Sequence, residues 1–223
     1  MNYNKDINKR RKNNLKGFKG DLIMEQMYVP VNNEYLRMKE DDFNNGNAIY
    51  LDGEVTRESI NYWTMQLRKL GNQELDNIQN GRESSPINMY ISSYGGSLVH
   101  GFYMVDLMEY YIKRGVEINT YANGFVASMG SKILISGSKR FGFKNSKVLF
   151  HQYNKPVNGT LTHRDIEIMY KDGVKTMKEI EKLIFSKTNI PKSLFRKSIR
   201  ENDDLILNAD ECLKYKVFDE ILD

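Results

Sequence analysis

Cysteine is nearly absent from this sequence: Cys212 is the one cysteine among 223 residues. A single thiol cannot form an intramolecular disulfide, and no cysteine–histidine cluster has the spacing of zinc ligands. These absences exclude a disulfide-linked scaffold and a zinc-binding domain, and they fit a reducing compartment. We expect Cys212 to be a packed residue in a helix.

Long apolar runs are missing as well. No stretch of about 18 apolar residues occurs, so the sequence predicts no membrane-spanning helix. The basic N-terminus lacks the apolar segment of a secretory signal. The hydrophobic fraction of 40% is slightly low, but 14 tyrosines and 10 phenylalanines can supply the buried area of one full domain.

Positive charge is concentrated in the first 20 residues, which hold seven lysines and arginines against Asp6 alone. The rest of the chain has 26 basic and 28 acidic residues and no basic face with interleaved aromatic side chains. We therefore expect binding to neither nucleic acid nor membrane, and interpret this head as a solvated terminus. Residues 1–47 are expected to form a basic, irregular N-terminal segment that precedes one domain at 48–223.

Short strands alternate with helices along this domain, which predicts an α/β fold with a parallel sheet. Strands are expected at 48–51, 87–91, 116–122, 140–143 and 147–150, the first stopping at Asp52-Gly53 and the third at Asn123-Gly124. Helices are expected after Thr56, between Ser97 and Gly115, over 127–136 and 164–187, and from Pro191. A polar excursion at 153–161 and the long helix after it have the character of an extension that lies against another subunit.

Ser128 and His151 are the residues that point to chemistry. A serine hydroxyl is a poor nucleophile until a base takes its proton, and histidine suits that task near neutral pH. Ser128 is expected at a strand-to-helix turn, where the N–H of Met129 is free to stabilise an oxyanion. Gly95 and Gly96 follow another strand, and the lack of Cβ atoms lets a backbone amide approach a substrate oxygen.

Each of these features has a structural explanation when taken alone. Small residues around a serine let a helix approach a sheet, and a Gly-Gly pair is often a tight turn. The other two histidines, His100 in a predicted helix and His163 in a polar stretch, have the character of surface or packing residues. The combination of serine, glycine loop and strand-ending histidine is what favours an acyl-transfer site.

Six segments in order resemble the ClpP family of serine peptidases, the proteolytic subunits of the Clp protease. The segments are 49–55, 90–97, 127–130, 151–152, 165–168 and 209–222. Each is a weak signal alone, whereas six in family order with family-like spacing are specific. The resemblance covers roughly four fifths of the chain.

This resemblance implies a crotonase-like spiral of β-β-α units with a helical handle, here at about 152–187. It also implies a cytoplasmic homo-oligomer of stacked heptameric rings, without metal or organic cofactor, that hydrolyses unfolded polypeptides inside a chamber. An AAA+ unfoldase of the Clp family would deliver the substrates and use the ATP. In agreement, the chain has no Gly-x-x-x-x-Gly-Lys-Ser/Thr phosphate loop.

The resemblance also assigns roles to site residues. Ser128 would be the nucleophile and His151 the general base, with oxyanion donors from Met129 and from Gly95 or Gly96. The family has a late aspartate that orients the histidine, but counting from flanking anchors gives Arg200 or Ser198. An insertion of about two residues accounts for the mismatch. We predict Asp203 as the third residue of a serine–histidine–aspartate catalytic triad, with Asn202, Asp204 or no residue as alternatives.

Two departures indicate a divergent member of the family. Tyr94 replaces the proline usual before the double glycine, and the N-terminal segment is longer and more basic than the family's pore-lining segment. Because the third position of the catalytic triad is not clearly filled, a catalytically silent ring subunit that assembles with an active paralogue is an alternative. So is a phage prohead-maturation protease of ClpP type that works without an unfoldase. An acyl-CoA hydratase of the same superfold is disfavoured, because a serine–histidine pair is not usual for that chemistry.

Overall fold

The computed structural model describes residues 46–155, 157, 159–201 and 203–222. Almost all of the predicted N-terminal segment at 1–47 therefore lies outside the described residues. Within them the chain forms seven strands and six helices. In chain order these are β1 (Ala48–Val55), α1 (Arg57–Gln79), β2 (Ile87–Gly96), α2 (Leu98–Ile112), β3 (Ile118–Ala127), α3 (Met129–Leu134), β4 (Lys139–Phe143), β5 (Lys147–Phe150), α4 (His163–Lys187), α5 (Lys192–Glu201), β6 (Leu205–Leu207), α6 (Ala209–Lys214) and β7 (Glu220–Leu222).

The strands form one sheet whose main path is β1-β2-β3-β4-β7, with every neighbouring pair on that path parallel. β5 pairs in parallel with β3 and in antiparallel with β6. Parallel strands need helical crossovers, which explains the alternation of strands and helices along the chain. The prediction of an α/β fold with a parallel sheet is confirmed.

β3 does not end at Asn123-Gly124, so the predicted break is wrong. Ala122 pairs with Ile91 and Val126 with Ser93, so residues 123–125 form a bulge against a single residue of β2. Gly124 has φ of 81°, a value that glycine adopts without steric cost, and it bends the strand instead of stopping it. The first half of β3 pairs with β4, and the second half pairs with β5.

β1 shows the same behaviour, since it continues through Asp52-Gly53 to Val55. Its register against β2 shifts between Asp52 and Glu54, and Gly53 has φ of 91°. The helix predicted at 127–136 is correspondingly shorter, because β3 retains Ala127 and Ser128 forms the turn. In both strands the glycine marks a bulge, which the sequence pattern alone did not distinguish from a strand end.

The core lies between the sheet and the helices α1 and α2. The helices contribute large side chains at three- and four-residue spacing, and the strands contribute every second residue. The buried set includes Ile60, Trp63 and Leu67 of α1, Met104, Met108 and Tyr111 of α2, and Ile49, Met89 and Ile118 of the strands. Cys212 is fully buried in α6, as predicted.

Half-buried aromatic rings form a ladder across β1 to β4. Tyr50, Tyr90, Tyr121 and Phe141 stack in that order, with centroids 5.2, 4.6 and 4.8 Å apart. The ladder follows the parallel register, which pairs Tyr50 with Tyr90 and Tyr90 with Tyr121. Cross-strand aromatic pairs of this kind stabilise the sheet and fix its register.

α4 differs from the other long helix, α1, in how little of it packs. Its buried residues are Ile180 and Ile184, both in its last third, while Ile166, Ile168 and Tyr170 in its first third are exposed. The helix agrees closely with the prediction of 164–187, and the handle assignment at about 152–187 stays a prediction. Among the helices of the described residues, none has the length and hydropathy to cross a membrane.

Thr56 gives a test of how local sequence starts α1. Its hydroxyl accepts from the Ser59 N–H (3.1 Å), and the Thr56 N–H donates to the Ser59 hydroxyl (2.9 Å), which closes a capping box. We expect Thr56→Ala to lower the free energy of unfolding by about 1 kcal/mol, since an N–H loses its partner. Thr56→Ser should stay near wild type in urea denaturation, and equal stability of the two variants would contradict this.

Candidate active site

Ser128 is the single residue between β3 and α3, and it has φ of 53° and ψ of −122°. A serine with positive φ is strained by about 1–3 kcal/mol, and such residues persist only where their surroundings hold them. The Ser128 N–H donates to the Leu149 carbonyl (3.1 Å), and the Ser131 hydroxyl donates to the Ser128 carbonyl (2.6 Å). Although Ser128 occupies the N-cap position of α3, its side chain makes no capping hydrogen bond. The turn is therefore fixed through its backbone.

The end of β2 packs directly on this turn. A Cβ atom at Gly95 would lie 2.4 Å from the Ser128 Cβ and 2.8 Å from the Met129 nitrogen, distances that real side chains do not reach. A Cβ at Gly96 would lie 2.5 Å from the Val55 carbonyl oxygen. Both glycines have positive φ, so the double glycine is required by close approach and by backbone conformation together.

The amides of the two glycines differ in their surroundings. The Gly95 N–H donates to the Ser93 hydroxyl (3.1 Å), whereas Gly96 lines a cavity of about 460 Å³ beside Ser128. The amide of Met129 follows Ser128 directly at the start of α3. Of the two glycines proposed as oxyanion donors, the geometry favours Gly96.

His151 follows β5 directly, and β5 pairs with the second half of β3. In that parallel register Ala127 lies beside Leu149, so the two strands end side by side. Ser128 follows one strand end, and His151 lies two positions beyond Leu149 on the other. Both residues line the 460 Å³ cavity. The two residues predicted to act together therefore border the same cavity.

Strand pairing also indicates which residue could complete the catalytic triad beside His151. β5 and β6 are antiparallel, with Phe150 opposite Leu205. In that register one further step brings Asp204 opposite His151, and a second step brings Asp203 opposite Gln152. The Asp203 carboxylate accepts from the Asp204 N–H (3.1 Å). The register favours Asp204 over Asp203, and Asn202 lies outside the described residues.

Lys132 is a member of the cavity that the sequence analysis did not identify. It lies on α3, one turn after Ser128, and only 2% of its surface is exposed. Burial lowers the pKa of its ammonium group to about 8, because the charged form loses hydration. A lysine followed by Ile-Leu-Ile in a helix next to a serine is the signal that could have revealed it, since charged residues seldom occupy fully apolar runs.

The other two histidines and Cys212 do not line this cavity. The Nδ1 atom of His100 lies 2.8 Å from the Ser97 hydroxyl on α2, and His163 is exposed at the start of α4. Burial raises the pKa of the Cys212 thiol to about 12.

Among the described residues, no cluster of three histidine, cysteine or acidic side chains is able to bind a metal. A separate, open cavity of about 530 Å³ lies against α4 and α5 and contains no histidine.

Comparisons with known proteins place the chain in a family. The family model for Clp protease matches residues 34–223. An ATP-dependent Clp protease proteolytic subunit 2 from Bacillus licheniformis is 34% identical over 138 residues, which cover 61% of this chain and 69% of that protein. The chain belongs to the Clp protease family. The family resemblance and the ClpP-like α/β fold predicted from the sequence are confirmed.

A matched pair of glycines tests the packing of β2 on the Ser128 turn. Gly95 and Gly124 have similar positive φ values of 98° and 81°, but a Cβ at Gly124 would meet nothing within 4 Å. Both alanine substitutions carry the conformational cost of positive φ, roughly 1–2 kcal/mol. Gly95→Ala adds the clash with Ser128 and should unfold at clearly lower urea concentration than Gly124→Ala. Equal stability of the two variants would show that the turn yields to the added methyl group.

Proposed function

We propose that this chain is a serine endopeptidase of the Clp type that cleaves polypeptides through an acyl-enzyme on Ser128. The observation that carries the proposal is that Ser128, on a strained turn, and His151, at a strand end, line one cavity. Strained backbone at a residue with a nucleophilic side chain is typical of active sites. Membership of the Clp protease family supports peptide hydrolysis.

The proposed reaction uses these residues in two steps. His151 takes the hydroxyl proton as the Ser128 Oγ bonds to the substrate carbonyl carbon, and the oxygen that becomes negative accepts from the amides of Met129 and Gly96. The C–N bond then breaks, and the imidazolium returns its proton to the leaving amine. Water repeats the sequence on the ester and releases the acid and free Ser128. Loss of one oxyanion donor would cost on the order of 3 kcal/mol in the transition state.

We propose Asp204 as the residue that orients His151, with Asp203, the sequence-based prediction, as the alternative. The antiparallel register supports this, since directly opposite residues project to the same side of a sheet. A carboxylate there would hold the imidazole tautomer and stabilise the imidazolium.

The proposal includes an assembly of stacked heptameric rings in the cytoplasm, supplied with unfolded polypeptides by an AAA+ partner. The name of the Bacillus relative, an ATP-dependent proteolytic subunit, supports the partner. Ile166 and Tyr170 are exposed apolar residues one helical turn apart on α4, and they support a contact between subunits, because monomers seldom expose neighbouring large apolar side chains. The lone buried Cys212 thiol is consistent with a reducing compartment.

Substitution of Ser128 tests the nucleophile. We expect Ser128→Ala to abolish cleavage of a fluorogenic peptide, because no other hydroxyl replaces the attacking atom, and to leave the oligomer mass unchanged in light scattering. Ser85→Ala, which removes an exposed hydroxyl in the α1–β2 loop, is the matched control and should retain full activity. Turnover by pure Ser128→Ala would refute the assignment, and an inert wild type would favour the silent ring subunit.

Substitution of Asp203 and of Asp204 tests which aspartate orients His151. We expect Asp204→Asn to lower kcat by on the order of 10³-fold or more, as loss of the orienting carboxylate does in serine peptidases. Asp203→Asn should change kcat by only a few-fold. The reverse order would assign the role to Asp203, and two near-normal variants would leave a serine–histidine dyad.

A further inference from the structure

Lys132 is buried at the wall of the cavity that holds Ser128 and His151. Its side chain is almost wholly removed from solvent, yet it lines this cavity. Its neighbours along α3, Ile133 and Leu134, are fully buried and apolar. A lysine in such a place is costly unless an anion or a set of acceptors faces its ammonium group.

No such partner is found among the described residues. Lys132 is absent from their ion pairs, and the side-chain hydrogen bond at this residue is one that its backbone carbonyl accepts from the Ser136 hydroxyl. Glu54 also lines the cavity but is exposed to solvent and lies beyond ion-pair distance of Lys132. Burial alone lowers the pKa of Lys132, without a contribution from any neighbouring charge.

We propose that Lys132 determines specificity, by binding the carboxylate of an aspartate or glutamate on the acyl side of the bond to be cleaved. The proposal rests on the peptidase function proposed above. Lys132 lies four residues after Ser128, a rise of roughly 6 Å along the helix axis. The side chain of the acyl residue is attached to the Cα atom that is bonded to the carbon attacked by Ser128, so a carboxylate on it can reach the ammonium.

The chemistry favours an acidic side chain over an apolar one in this position. A substrate carboxylate would give the buried ammonium its missing partner and form a charge-assisted hydrogen bond in a site removed from water. A pKa of about 8 keeps the ammonium form predominant at neutral pH. An apolar side chain would instead leave the charge unpaired and remove what water still reaches it.

The test uses three fluorogenic peptides that differ only in having Glu, Gln or Leu as the acyl residue, with the full-length oligomer. Wild type should cleave the Glu peptide with a kcat/KM at least about tenfold above that for the Gln peptide. A factor of this size corresponds to the free energy that a hydrogen bond to a charged group contributes. Lys132→Met, of similar length, should lose this preference and should cleave the Leu peptide at least as fast as wild type does, because the unpaired charge that an apolar side chain would face is gone. Lys69→Met, which removes an exposed lysine of α1, is the matched control and should keep the preference.

Covalent labelling of Ser128 compares the same acyl residues without requiring turnover. Peptidyl diphenyl phosphonates with Glu or Leu in the acyl position should label Ser128 faster with Glu in wild type, and at similar rates in Lys132→Met. Lys132→Gln, checked by circular dichroism like the other variants, replaces Lys132→Met if that variant does not fold.

Two results would overturn the inference and leave the proposed function intact. One is a wild type that cleaves or labels equally with Glu, Gln and Leu. The other is a Lys132→Met enzyme that slows on all peptides alike, which would assign Lys132 a general role in the reaction. Absence of both cleavage and Ser128 labelling in wild type would instead remove the peptidase function, and the specificity with it.

Discussion

The pairing of β3 with β5 is the constraint on which the site depends. It brings the ends of the two strands together, and Ser128 and His151, which follow those ends, line one cavity. The pairing is possible because β3 bends at Gly124 and exchanges β4 for β5 as its neighbour. A straight β3 would continue beside β4 and leave β5 without its parallel partner.

Backbone packing around Ser128 adds a second constraint. Gly95 allows β2 to approach the turn so closely that no side chain fits between them, and a hydrogen bond from Ser128 to Leu149 ties the turn to β5. The positive φ of Ser128 is thus held from two sides by neighbouring strands. In the proposed peptidase, this rigidity would keep the hydroxyl and the Met129 amide in place before a substrate arrives.

Much of the fold was predictable because its signals are local. Thr56 and the apolar spacing after it identify α1, and the apolar run 148–150 identifies β5. The bulges at Gly53 and Gly124 were not predictable in this way, because glycine favours a turn and a bulge by the same positive φ. Which residue lies opposite His151 depends on the antiparallel register of β5 and β6, and register between distant segments leaves little mark on either segment.

Lys132 illustrates the other limit of the sequence. A lysine is usually a solvated surface residue, and its burial beside Ser128 follows only from how α3 enters the sheet. Within the proposed function, the same cavity then combines a nucleophile, a base and a buried cation. This combination would make the cleft selective by charge as well as by shape.

The most direct test of the account is to map the residue that reacts with a fluorophosphonate, by mass spectrometry of the digested protein. We expect a single adduct on the peptide that contains Ser128, and much slower formation of that adduct in His151→Ala. An adduct on another serine, or an unchanged rate without the imidazole, would contradict it.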